Sequence, residues 1–365
     1  MKTTRIALIT DKYLPIFGGL ELLLRDLAHQ LVERGYEPHV ICATPGPPDT
    51  ERFPVVRLDG RRILYRACTP RTYTDLHAYL AQHRFDLIHA HCVFSPLAHA
   101  AIRWAKTHRI PSILTVHSDL RGPGGILLSS LRHLTGWSEW PTVLSAVSQY
   151  VADDLAALSG RSDIEVALNA AHLDRWTVPA GARPNRIASA MRFTIRKRPL
   201  DMVRIVPRLQ ERLDRSRWPQ VTIVGDGPER RRVEREIRRL GLGDRVELTG
   251  ELSQTRLVDV LARSSIFAVP SKREALSIAA IEARAAGLPV VARIPSGVSE
   301  VVEHGRHGLL ASSDGGFLEA LIQLIASPAL RAKLSSQATT GLERFGWPAS
   351  MERIERLYRL AKERI

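Results

Sequence analysis

Phe267-Ala268-Val269-Pro270-Ser271-Lys272-Arg273-Glu274-Ala275-Leu276-Ser277-Ile278-Ala279-Ala280-Ile281-Glu282-Ala283 joins a short apolar run to a stretch of small residues with helical character. Phe267 to Ser271 reads as the end of a strand. A helix is expected to begin near Leu276 or Ser277 and to stop at Gly287-Leu288-Pro289, where glycine closes a last turn and proline cannot continue it. Leu288 to Ala292 then reads as a further strand, and strand, helix and strand in this order mark a parallel sheet with crossover helices.

The same alternation extends in both directions. Upstream, Ile187 to Met191, Gln220 to Val224, Arg245 to Thr249 and Ile266 to Val269 read as strands of one doubly wound unit. In the first half, Ile6 to Thr10 is followed by the turn Pro15-Ile16-Phe17-Gly18-Gly19 and a helix from Glu21 to about Arg34, ended by Gly35. Strands are expected at His39 to Cys42, Leu87 to Ala90, Ser112 to Val116 and Thr142 to Val147, with helices around residues 95–108 and 148–158. Between the halves, from Val166 to Arg186, the pattern lapses through Asn169-Ala170-Ala171-His172-Leu173-Asp174, Pro179, Gly181 and Pro184, which reads as a linker. The expected fold class is α/β with two facing Rossmann-like domains, residues 1–170 and 185–345. After Phe345-Gly346-Trp347-Pro348, a helix from Met351 to Arg364 in residues 349–365 is expected to fold back onto the first domain. Ligands of open parallel sheets bind beyond the carboxyl ends of the strands, so the cleft between the domains is the expected site.

Composition narrows the function. A chain of 365 residues, 44% hydrophobic and 25% charged, has length for two domains and a sizeable core. Three cysteines, Cys42, Cys68 and Cys92, without CxxC spacing argue against a disulfide framework and fit a reducing cytosol. The N-terminal stretch from Met1 to Asp11 meets a charge too early for a secretory signal, and no run of about 18 apolar residues occurs, so the expected location is cytoplasmic or peripheral on the inner face of a membrane. The net charge of +14 suggests nucleic acid, but aromatic residues make up only 6% and no zinc-finger or RNP-like signature is present. Much of the excess lies on helices such as Glu229 to Leu240, where glutamates stand three or four residues from arginines as on a solvated face.

The chemistry-bearing residues follow the strands. Gly18-Gly19 stands between the first strand and first helix, where bare backbone can approach an anion or merely make a tight turn. Gly225-Asp226-Gly227-Pro228 follows a strand directly; Pro228 suits a helix start, and Gly225 would let a bound nucleotide come close. Glu274 lies in the entry loop and Glu282 about two turns into the helix, two carboxylates costly to bury among apolar neighbours unless ligand hydroxyls satisfy them. Free N–H groups of Leu276, Ser277 and Ile278 at the helix start suit a diphosphate. Arg192 and Lys197 follow the first strand of the second half and could neutralise a departing diphosphate. His89 and His91 alternate on one side of a strand end, and His117 closes the next strand. No third ligand stands at metal spacing and no Asp-x-Asp triad occurs, so no metal or other cofactor is expected.

Taken in order, Gly18-Gly19, His117, Arg192 with Lys197, Gly225-Asp226-Gly227-Pro228, and Glu274 with Glu282 followed by Gly287-x-Pro289-Val290-Val291 resemble retaining glycosyltransferases of the GT-B fold, family 4. The resemblance spans nearly the whole chain. It implies that Arg192 and Lys197 hold the diphosphate of a nucleotide-sugar donor, helped by Gly19 and the backbone after Glu274. By the same resemblance Glu282 binds the ribose, Glu274 contacts the donor sugar, His117 faces the sugar and leaving group, and the loop at Gly250 recognises the base. The family's attack from the leaving-group face implies retention and requires no enzyme nucleophile. Ala275 and Arg198 stand where the family commonly has glycine, and Asn169-Ala170 replaces its Asn-Gly. Glu274-Ala275, Pro15-x-x-Gly18-Gly19-x-Glu21 and His89-Ala90-His91-Cys92-Val93-Phe94-Ser95-Pro96 look similar to the branch that moves N-acetylglucosamine onto phosphatidylinositol. A UDP-sugar is therefore the favoured donor, with a GDP-sugar the other choice, and the acceptor is a glycan, lipid or small-molecule hydroxyl. Gly124 to Trp137, apolar and basic, reads equally as a surface for an anionic membrane or as a core-facing helix. A glycoside hydrolase or phosphorylase, a sugar-nucleotide epimerase of the same fold and a noncatalytic binding module are the competing readings.

Overall fold

A computed structural model describes the chain except residues 1–2, 17, 48–49, 59–61, 64–65, 68, 123–124, 126–127, 129–131, 133–134 and 179–184. It divides into two units, residues 1–170 with 347–365, and residues 171–346. Phe17, most of the segment 124–137, and Pro179, Gly181 and Pro184 of the expected linker lie outside the described residues.

The first unit runs β1 (Arg5–Thr10), α1 (Gly19–Glu33), β2 (Glu37–Cys42), β3 (Val55–Arg57), the short pair β4 (Arg62–Ile63) and β5 (Arg66–Ala67), α2 (Pro70–His83), β6 (Leu87–His91), α3 (Pro96–His108), β7 (Ser112–Val116), β8 (Val143–Ala146), α4 (Gln149–Ser159) and β9 (Glu165–Val166). Seven parallel strands form its sheet in the order β3-β2-β1-β6-β7-β8-β9. Three helices start on side-chain caps, the hydroxyls of Thr69, Ser95 and Ser148 accepting from Thr72, Ala98 and Val151 N–H, each cap contributing about 1 kcal/mol. The C-terminal helix, Trp347–Glu363, buries Trp347, Met351, Ile354, Leu357, Tyr358 and Ala361 in the core that holds Leu24, Leu27, Leu87 and Val143. It begins four residues earlier than the expected Met351, because Pro348 falls in the first turn, where its missing N–H costs nothing.

The second unit contains β10 (Arg186–Ala190), α5 (Pro199–Arg212), β11 (Gln220–Val224), α6 (Arg230–Arg239), β12 (Val246–Gly250), α7 (Gln254–Ala262), β13 (Ile266–Val269), α8 (Ile278–Ala285), β14 (Val290–Arg293), β15 (Gly308–Ala311), α9 (Asp314–Ala326) and α10 (Pro328–Gln337). Its parallel sheet has the order β12-β11-β10-β13-β14-β15. Part of the expected linker belongs to this unit: Ala171 N–H donates to Phe345 O at 2.9 Å, and Leu173–Trp176 forms a 3-10 turn. On α6, Arg230, Arg232 and Arg239 are paired with carboxylates, as on a solvated face. Glu236 receives both Arg204 (2.6 Å) and Arg239 (2.9 Å), Arg230 meets Glu234 (2.8 Å), and Arg232 meets Glu229 (3.3 Å).

Candidate functional site

In the second unit the chain lays down β10, β11 and β12 in one direction and then returns to place β13, β14 and β15 on the other side of β10. The loops after β10 and β13 therefore leave neighbouring strands in diverging directions, which is where such a sheet opens a crevice. Lys197 comes from the first loop and Glu274 from the second. Their side chains meet there, Lys197 Nζ donating to Oε1 and Oε2 of Glu274 at 2.7 Å each. The Glu274 side chain is 7% exposed and the Lys197 side chain 24%, so Glu274 is a buried carboxylate held by a cation that still touches solvent. Ser271, 1% exposed, donates its hydroxyl to Lys197 O at 3.4 Å and ties the two loops together.

Behind Glu274 the chain turns into α8, which starts at Ile278, slightly later than the expected Leu276 or Ser277. Ser277 is the residue preceding the helix, at φ +78°, a left-handed conformation that costs a side-chain-bearing residue about 1–2 kcal/mol. It makes no side-chain cap. Among the described residues the N–H groups of Leu276, Ser277, Ile278 and Ala279 meet no acceptor, and they stand at the positive end of the helix. A later segment fixes this loop. Gly297 N–H donates to Glu274 O at 2.8 Å, and a Cβ on Gly297 would lie 1.9 Å from Ala275 O. Nothing in the sequence hints at that contact, because a glycine 23 residues downstream carries no chemistry of its own.

Arg192 is exposed, but its backbone is pinned. Met191 N–H donates to Val224 O (3.0 Å), Phe193 N–H to Asp226 O (2.8 Å) and Glu229 N–H to Phe193 O (3.1 Å), zipping the loop after β10 to the loop after β11. Gly225, at φ +127°, makes this approach feasible: a Cβ there would sit 1.9 Å from Met191 O. Gly227 likewise presses on Phe193. Internal packing alone thus requires the glycine expected to admit a nucleotide. Gly225 N–H also donates to Gly250 O at 2.8 Å, placing Gly250 (φ +73°) at the same rim. Pro228 stands two residues before α6 rather than at its start.

Glu282 falls in the second turn of α8, nearer the helix start than two full turns. The residue keeps some accessible surface, yet its carboxyl is surrounded by protein, and burial pushes its pKa up to about 8. It is chiefly protonated at neutral pH. Arg284, on the same helix, is 2% exposed and caps backbone carbonyls of Ala338 (2.8 Å), Val301 and Thr340, so it is a structural post.

In the first unit the reversal of strand order falls between β1 and β6. Gly18 precedes α1, and the Glu21 side chain folds back so closely that a Cβ on Gly18 would lie 2.2 Å from its carboxylate. Gly19 is the exposed first residue of the helix. His117 follows β7 and meets His91, the last residue of β6, with Nε2 of His117 and Nδ1 of His91 3.0 Å apart. Nδ1 of His117 is buried without a hydrogen-bond partner among the described residues. His89 contacts Thr115 Oγ1 (2.8 Å) and Tyr358 Oη (3.3 Å). Burial pushes His89 down to about 3, His117 to about 4 and His91 well below its ordinary range. All three rings are neutral at pH 7. In this arrangement both nitrogens of His117 are turned inward.

Among the described residues no three His, Cys, Asp or Glu side chains are grouped to hold a metal ion, and no helix is long and apolar enough to cross a membrane.

The chain is similar to known proteins along most of its length. Residues 17–175 match "Glycosyltransferase Family 4" and residues 173–340 match "Glycosyl transferases group 1". The chain is 27% identical to a phosphatidylinositol N-acetylglucosaminyltransferase polypeptide of Arabidopsis thaliana, over 82% of this chain and 69% of that protein. It is 24% identical to the GDP-mannose-dependent alpha-(1-6)-phosphatidylinositol monomannoside mannosyltransferase of Mycobacterium tuberculosis, over 88% of each. Among solved structures, HepE of Anabaena in complex with UDP-glucose superposes with a TM-score of 0.80 at 20% identity, covering 97% of this chain and 99% of that one.

Proposed function

We propose, for a chain that belongs to the GT-B glycosyltransferases with a family 4 domain followed by a group 1 domain, a retaining transfer of a hexose or N-acetylhexosamine from a UDP-sugar to a hydroxyl acceptor. The observation that carries it is the junction of Lys197, Glu274 and the acceptor-free N–H groups of α8 at the reversal of strand order. Those groups supply what a departing nucleoside diphosphate needs: an ammonium, a helix terminus and, from the pinned loop, the exposed guanidinium of Arg192. Glu274 already balances Lys197, so Arg192 and the helix start provide the remaining positive potential.

Bond cleavage leaves positive oxocarbenium character on the sugar and negative charge on the diphosphate. Arg192, Lys197 and the N–H groups of Leu276, Ser277 and Ile278 stabilise the second. Glu274 faces the first as a carboxylate, protonated Glu282 hydrogen-bonds the ribose, and Gly250 lines the base. The acceptor attacks from the leaving-group side and gives its proton to the phosphate oxygen, so configuration is retained without an enzyme nucleophile. Neutral His117 and the Gly18-Gly19 turn are the first unit's contributions to this reading.

N-acetylglucosamine is the favoured sugar, since Glu274-Ala275 and His89-x-His91 resemble the branch to which the phosphatidylinositol N-acetylglucosaminyltransferase relative belongs. The net charge of +14 supports peripheral contact with an anionic membrane; retention on anionic liposomes at low salt and release at high salt test it. For the donor, a thermal-shift screen against UDP, GDP and their sugars is decisive. Ligand at 100 times Kd adds about 2.7 kcal/mol, a rise of about 5 °C or more for a unit of this size. Response to GDP-sugars alone would overturn the UDP assignment.

A further inference from the structure

Arg198 follows Lys197 and is the last residue before α5, at φ +59° and ψ +46°. Glycine adopts that left-handed conformation freely, whereas a residue with a side chain resists it. Pro199 next to it pushes the preceding residue toward extended backbone instead. Something must hold Arg198 there. Its N–H donates to Thr194 O (3.2 Å) and Ile195 O (3.3 Å), and its carbonyl accepts from Asp201 N–H at 3.1 Å. Its guanidinium reaches the Asp201 carboxylate and donates through Nη1 to Oδ1 of Asp314 at 2.8 Å.

Asp314 is the first residue of α9, and the same Oδ1 accepts from Nη1 of Arg293, the buried last residue of β14. Its other oxygen lies 3.9 Å from Nζ of Lys272. Arg198 and Lys272 belong to the two loops that Lys197 and Glu274 join. Those loops are therefore tied twice, once by Lys197 and Glu274 and once by their neighbours in sequence through Asp314. Only the first tie is assigned to a ligand, which leaves the second to serve as a fixed anchor.

We propose that Arg198 is a positioning residue for Lys197: tied through Asp314 to α9 and β14, it fixes the end of the loop after β10 so that the Lys197 ammonium stays on Glu274 and beside the departing diphosphate. The inference rests on the proposed transferase reading. A lysine carries its charge on a flexible stem, so the place of its backbone sets where that charge can dwell. Misplacement by about 1 Å costs about a hundredfold in rate. The Asp314 side chain is 52% exposed, and an ion pair so open to water adds little to stability. Fixing the loop, rather than holding the fold, is the part the Arg198 contact plays.

Arg198→Gly is the test, because glycine accepts the left-handed backbone and the variant should fold, with Tm within about 4 °C of wild type. Its kcat should fall at least about tenfold, while KM for the donor changes less than about threefold. Arg198→Lys keeps a cation for Asp314 and should return kcat to within about threefold of wild type. Because Arg198 acts through Lys197, adding Arg198→Gly to Lys197→Ala should lower kcat no further. Wild-type kcat in Arg198→Gly, or a further loss of about tenfold in the double variant, would overturn the inference. Amide exchange reads the anchor without turnover: Lys197 N–H, which donates to Thr194 O at 3.0 Å, should exchange at least about tenfold faster in Arg198→Gly, and an unchanged rate would refute the anchor. Should no form of the protein transfer sugar from any nucleotide donor, the functional reading fails, and exchange at Lys197 still decides whether Arg198 fixes the loop.

Discussion

Glu282→Gln isolates the least ordinary group at the candidate site. Burial raises the Glu282 carboxyl from 4.5 to about 8 with no compensating cation. The folded protein therefore holds this proton more tightly than the unfolded chain does. Stability from this group is fully present below pH 4.5 and is lost as pH rises through about 8. At about 1.36 kcal/mol per pH unit the loss between pH 5 and 9 is at most about 4 kcal/mol, and the residue's partial exposure lowers that to about 2–3 kcal/mol. Glutamine keeps the shape but cannot ionise, and its amide sets an NH2 where the protonated carboxyl has an oxygen. Thermal or urea unfolding of both proteins at pH 5, 7 and 9 should give similar stabilities at pH 5 and a variant more stable by about 2–3 kcal/mol at pH 9, equivalent to about 4–12 °C in Tm. The same variant should bind UDP about tenfold or more weakly, because a ribose partner has changed. Parallel pH curves for the two proteins would refute the enclosed, protonated carboxyl, and unchanged UDP affinity would refute its place at the ribose.

Lys197→Ala strands a carboxylate that is 7% exposed, so it should lower stability by about 3 kcal/mol, and adding Glu274→Gln should restore most of it in a double-mutant cycle read by urea unfolding. Both single variants should lose transfer by at least about a hundredfold. Gly297→Ala forces a methyl onto Ala275 O and should cost at least about 2 kcal/mol while disturbing Glu274, so kcat should fall although the residue is not itself in the site. Arg284→Leu leaves three carbonyls without their donor and should destabilise the protein by about 3 kcal/mol, with donor affinity in the folded fraction nearly unchanged.

The strand-to-helix rhythm was legible in the chain because buried parallel strands read as short apolar runs and crossover helices as periodic ones. The order of Arg192, Lys197, Glu274 and Glu282 along that rhythm was legible too. What lay hidden depends on through-space contact. The run Gly308-Leu309-Leu310-Ala311 has no β-branched residue to mark β15, and β3 and β9 are only three and two residues long. Ala171 pairs with the chain before the C-terminal helix, so a polar, proline-containing stretch partly belongs to the second unit. Gly225 and Gly297 are demanded by carbonyls of Met191 and Ala275, distant in sequence. Lys197 reads in the sequence as a basic loop residue, and its buried bidentate partner, Glu274, comes from a loop far along the chain. The spacing of His89 and His91 did carry a signal, but its answer, a bond to His117, required β6 and β7 to be neighbours.

Amide hydrogen exchange with and without UDP-sugar tests the central claim most directly. The N–H groups of Leu276, Ser277, Ile278 and Ala279, free of acceptors among the described residues, should exchange rapidly alone and become strongly protected when the donor binds, in wild type but not in Arg192→Ala. Protection confined to other segments, with the start of α8 still exchanging freely under saturating donor, would contradict a diphosphate held there.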